Sequence, residues 1–209
     1  MLDARAWSGP VARWAIDPGS APAPRLSYWF TRGCAAARAG DGAAARDALV
    51  AYDAAAHDVR AAIDSEGPTP SPDDREFLSR AEVLRLELVG LIAAGRGDRA
   101  AALDTLRRAT AVEDGMAYAF GPPYVNEPAH ELLGEELLAA GQPARAQHEF
   151  ELALTRTPGR TSVLLGLARA ARATGDSAAA TGALAKLAAI WHAADPDLPG
   201  LSEARAHRP

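Results

Sequence analysis

The chain has 209 residues, 48% hydrophobic and 23% charged, with a formal net charge of −5; this suits one domain with a continuous core and argues against wholesale disorder. The mild acidity provides no basic stripe for DNA or RNA, and no run approaches the roughly 20 apolar residues of a membrane span. Alanine makes up about a quarter of the chain and Cys34 is its one cysteine, a composition that favours helix and excludes an intrachain disulfide framework or a zinc-thiolate cluster.

In chain order, MLDARAWSGP lacks the basic start and apolar core of a secretory signal, so a cytoplasmic protein is expected. Residues 1–25 read as a lead-in, with a short helical piece around Val11 to Ile16 followed by a Pro-rich run. Trp7 and Trp14 could rest on the first helix pair as a cap, because a stacked helical array must hide its open apolar end. Alternatively, that end is covered by self-association or by a partner chain.

From Leu26 the chain places Trp29, Gly33, Gly40, Ala45 and Leu49 at spacings that suit two packed helices. Residues 60–82 then interrupt the pattern. Pro68, Pro70 and Pro72 cannot lie inside one helix, so this insert predicts a linker between two lengthened helices. Ser71-Pro72-Asp73-Asp74 is a helix start, with proline and acids in the first turn. From Val83 the spacing returns with Leu86, Gly90, Gly97, Ala102, Leu106 and Ala109.

A second insert, AYAFGPPYVN at 117–126, carries Tyr118, Phe120 and Tyr124 around Gly121-Pro122-Pro123. Two readings stay open. The rings plug a widened gap between helix pairs, or the proline-stiffened loop presents them to a ligand at low ordering cost.

The unit EPAHELLGEELLAAGQPARAQHEFELALTRTPGR follows, from Glu127 to Arg160, and its counterpart starts at Thr161, 34 residues later. Leu133, Gly134, Gly141, Ala146, Phe150 and Ala153 in the first correspond to Leu167, Ala168, Gly175, Ala180, Leu184 and Leu187 in the second. Gly33, Gly90, Gly134 and Ala168 are small where two helices must approach, facing Ala45, Ala102, Ala146 and Ala180. Gly40-Asp41, Gly97-Asp98 and Gly175-Asp176 sit where one helix hands over to the next. There glycine takes the left-handed closing position and aspartate caps the following helix.

These four units, over roughly Leu26 to Ala194, resemble the tetratricopeptide-repeat family. The resemblance implies an all-α fold, an α-solenoid of antiparallel helix pairs in a right-handed superhelix of about four repeats, with a C-terminal tail over 195–209. The stretch from Glu113-Asp114 through PAHELLG, TPGR and LLGLARAA to ADPDLPGLSEAR is also similar to the C-terminal half of longer bacterial repeat proteins of undefined biochemical role. That likeness implies a style of binding rather than a reaction.

Candidate chemistry is sparse. Glu127-x-x-His130 has the spacing of a carboxylate-bridged di-metal site, but such a site needs a second copy and two further glutamates. The expectation is a packing histidine, no metal and no cofactor. Glu113 and Asp114 could join His130, Tyr118 and Tyr124 in a small-molecule or metal pocket; solvent-facing helix-end acids are the plainer reading. His57, His148, His192 and His207 lack ligand spacing. Cys34 falls beside Gly33 in an alanine-rich helix, which suits a packed thiol. There is no nucleophile elbow or phosphate-cradling glycine loop, so no enzyme is expected.

Charge patterning is more informative. On the first helix of successive units, the inner face should carry Arg38, Glu87, Glu131 and Glu135, then Arg169 and Arg172. Such a groove could hold an extended peptide or a partner helix. The competing reading is intramolecular pairing, for example of Glu135 with Arg169. The expected role is a scaffold that binds a protein or peptide, with the aromatic-loop pocket as the alternative.

Overall fold

A computed structural model describes residues 15–17, 19–117 and 127–206. The described residues are all-helical: α1 (Pro22–Arg38), α2 (Gly42–Glu66), α3 (Pro72–Gly95), α4 (Arg99–Asp114), α5 (Ala129–Ala139), α6 (Pro143–Arg156), α7 (Thr161–Thr174), α8 (Ser177–Ile190) and the short α9 (Leu201–Arg205). None of these helices is long and apolar enough to cross a membrane. The chain forms two compact units, Met1–Ala129 and His130–Pro209.

In the first unit α1 packs on α2, α3 packs on α4, and α3 also packs on both α1 and α2. The Gly-Asp joints explain why the hairpins close so tightly. Gly40 and Gly97 take φ of 77° and 80°, a left-handed conformation that L side chains rarely adopt. Asp41 and Asp98 then accept the Ala44 and Ala101 amides at 3.0 and 3.1 Å, capping α2 and α4. Gly175 and Asp176 repeat the device in the second unit, with φ of 81° and a 3.0 Å cap on Ala179.

The 60–82 insert is helical over most of its length, because α2 runs on to Glu66 and α3 begins at Pro72. Ser71 and Asp74 form a reciprocal capping box, with bonds of 3.1 and 2.9 Å. At the other end of the chain, α1 starts at Pro22 rather than near Leu26. Pro22 and Pro24 fit its first turn, where backbone amides need no intrahelical acceptor. The helical piece expected around Val11 to Ile16 lies outside the described residues, as do Trp7 and Trp14, except that 15–17 are not helical.

Leu26, Phe30, Cys34, Tyr52, Leu88 and Leu106 form much of the first unit's core. Each close approach is made by a glycine under a large side chain. A β-carbon at Gly33 would lie 2.6 Å from Leu88 Cδ1, and one at Gly90 would lie 2.8 Å from Leu106 Cγ. Tyr52 ties α2 to α3 by donating its hydroxyl to the Ala81 carbonyl at 2.7 Å.

Burial, with the nearby negative charge of Glu87 second, pushes the Tyr52 phenol above its ordinary value of 10. The folded state therefore holds this proton more tightly than the unfolded chain does. Its stabilising contribution is complete below pH 10 and is lost as the pH rises beyond it. Tyr52→Phe should cost about 0.5–1.5 kcal/mol at neutral pH through the lost hydrogen bond. Above about pH 10, wild type should lose more stability than the variant. Urea unfolding at several pH values checks this; parallel losses would mean Tyr52 is not the group responsible.

In the second unit α7 packs on α6 and α8, and α8 packs on α9. Phe150 of α6 is completely buried. β-carbons at Gly134 of α5 and Gly166 of α7 would lie 2.8 and 2.5 Å from its ring atoms. The segment expected as a C-terminal tail thus contributes an element of the fold: Leu201 and Ala204 of α9 are buried.

Candidate functional site

Helical geometry brings the six charges of the expected groove to very different environments. In the first unit, Arg38 at the end of α1 donates from Nη2 to Glu127 Oε1 at 3.2 Å, and Glu127 is fully buried. Glu87 lies in the middle of α3 with no exposed surface. A carboxylate so enclosed cannot meet a soluble partner unless the helices part.

Glu113 and Asp114 were expected as solvent-facing acids, and only Asp114 is exposed. Glu113 is 5% exposed, and its Oε2 accepts the Ala129 amide at 2.9 Å. It thereby satisfies one of the donors that every helix start leaves open. Also in this unit, Trp29 and Arg32 of α1, the α2 cap residue Asp41 and Asp47 of α2 border a groove of about 450 Å³ floored by alanines.

In the second unit, His130 is 5% exposed and its Nδ1 lies 2.7 Å from Glu149 Oε2. Glu131 is fully buried, and Arg160 donates to its carboxylate from Nε. Glu135 is half-buried, while Arg169 and Arg172 are exposed one turn apart on α7.

Arg169 grips the carboxylate of Glu203 with two bonds, Nε to Oε2 at 3.1 Å and Nη2 to Oε1. The bonds from Arg169, and secondarily the charges of Arg169 and Arg172, hold the Glu203 carboxyl below its ordinary 4.5. The attraction is therefore at full strength above pH 4.5 and is lost as the pH falls below it. The sequence suggested Glu135 as the counter-ion of Arg169. Glu203 makes the direct contact, and Glu135 acts on Arg169 only through its charge.

Tyr118, Phe120 and Tyr124, and with them the aromatic-loop pocket, lie outside the described residues. Among the described residues no three His, Cys, Asp or Glu side chains cluster in a way that would hold a metal ion. The ionic partners Glu127, Glu149, Arg160 and Glu203 went unread in the sequence, because each lies 19 to 89 residues from the group it meets. Local periodicity carries no signal of such pairs.

Compared with known proteins, the chain matches no family model, no curated protein and no solved structure.

Proposed function

We propose that the chain is a non-enzymatic binding module, a tetratricopeptide-like α-solenoid that holds a protein or peptide segment against the first helices of its pairs. With Glu87 and Glu131 enclosed, the recognition charges in this reading are Arg169 and Arg172 of α7. One observation carries the reading: a short glutamate-bearing helix, α9, packs on α8 and already meets this surface. Leu201 and Ala204 of α9 are buried while Glu203 meets Arg169 from the side. Apolar anchors flanking a charge-assisted bidentate bond are what an arginine surface needs in order to select a carboxylate-bearing helix.

The test starts with chemical cross-linking in native lysate to identify a partner, which is then purified. Calorimetry compares its affinity for wild type and for Arg169→Glu with Arg172→Glu. Reversing both charges should weaken binding at least about tenfold, since like-charge contacts cost more than lost ones. Circular dichroism should show unchanged helicity. Equal affinity for both chains would overturn the assignment of α7.

A further inference from the structure

Within the second unit, α9 is attached unlike the other helices. It is five residues long, follows α8 through the segment 191–200 with Pro196 and Pro199, packs on α8, and meets α7 through Glu203. Its fully buried side chains are Leu201 and Ala204. Its ionic bond joins Arg169 and Glu203, whose side chains are 49% and 32% exposed. Exposed pairs of this kind contribute little net stability. The hinge before α9 is Gly200, held at φ 85°, where a β-carbon would lie 2.6 Å from Leu165 Cδ2.

Few buried contacts, a water-accessible ion pair and a glycine hinge are the physical marks of an element that opens locally before the rest of a protein unfolds. By contrast, α7 contributes seven buried residues to the core. The surface under α9 would stay folded when α9 leaves.

We propose that α9 is a releasable occupant, in cis, of the Arg169–Arg172 surface, and that the external ligand of this surface is a short helical segment of the same chemistry: an apolar anchor two residues before a glutamate, with a small residue next to that glutamate. The proposal rests on the reading of α7 given above and adds its ligand class and its regulation. While docked, α9 competes at the millimolar effective concentration that a short tether confers. A partner must displace it, so apparent affinity is reduced by the fraction of chains in the docked state.

The experiment uses the full chain and two variants that undock α9 by different routes. Leu201→Ser removes the apolar anchor, and Gly200→Ala places a β-carbon against Leu165 in a backbone conformation alanine disfavours. Hydrogen exchange should show α9 amides at least tenfold less protected in both, with α7 and α8 unchanged. The probe is a synthetic peptide, DPDLPGLSEARAHRP, copying residues 195–209, titrated to millimolar concentration and followed by NMR shifts of α7. Both variants should bind it at least tenfold tighter than wild type, and adding Arg169→Glu should abolish binding.

Undocked variants that bind the peptide no better than wild type would overturn the proposal. So would α9 amides in wild type that exchange only through global unfolding. The two readings fail separately. If the cross-linked partner needs Arg169 and Arg172 but gains nothing from Leu201→Ser, gating by α9 is wrong and the binding module stands. If the peptide behaves as expected while the partner ignores the double arginine reversal, the gate stands and the partner's site lies elsewhere.

Discussion

Replacing Phe150 by alanine should destabilise the second unit by about 3–5 kcal/mol, the range for deleting a fully buried phenyl group. The ring sits where α5, α6 and α7 meet, with Gly134 of α5 and Gly166 of α7 both directly against it. Those glycines have no side chains to collapse into the space left behind. The cavity term should therefore be large and the cost lie towards the upper end of the range. Thermal unfolding checks the total, and hydrogen exchange checks its location. A loss below about 1 kcal/mol, the size of a typical surface effect, would show that the ring is not the keystone of these three helices.

Gly134→Leu should be comparably damaging for the opposite reason. A β-carbon at this position would lie 2.8 Å from Phe150 Cε1, closer than real β-carbon contacts come, and leucine adds three more carbons beyond it. Overpacking commonly costs about 1–3 kcal/mol when neighbours can shift, and more when they cannot. Here the neighbour is a rigid ring that Gly166 of α7 also presses closely, so the cost should exceed that range. Combining Gly134→Leu with Phe150→Ala should restore part of the loss, because the leucine enters the volume that the ring vacates. The coupling should be about 1–3 kcal/mol in the stabilising direction. Strict additivity of the two losses would mean that Gly134 does not face Phe150.

The helical elements and their joints were legible from the sequence because they depend on neighbours a few residues apart. The Gly-Asp pairs at 40–41, 97–98 and 175–176 combine a left-handed closing residue with a side-chain cap, both local effects of backbone geometry. Ser71-Pro72-Asp73-Asp74 specified its capping box for the same reason. The small residues Gly33, Gly90 and Gly134 announced close helix approach through their spacing. What fills each gap was legible only in part: Leu106 and Phe150 come from the following helix, whereas Gly33 receives Leu88 from α3. The start of α1 was missed because a Pro-rich run reads as a breaker, although prolines suit a helix's first turn.

The fate of the charged residues was decided by tertiary structure alone. Periodicity could place Arg38, Glu87, Glu131, Glu135, Arg169 and Arg172 on matching faces of successive helices. Whether such a side chain meets water, a core or a counter-ion depends on groups far along the chain, and that is where the six diverge. Glu87 and Glu131 are enclosed, Arg38 meets Glu127 across 89 residues, and Arg169 meets Glu203 across 34. Backbone hydrogen bonds and caps form within a few residues and leave a local signature. An ion pair closes a long loop, at an entropic cost that grows only slowly with length, so its partner can lie almost anywhere in the chain and leaves no such signature.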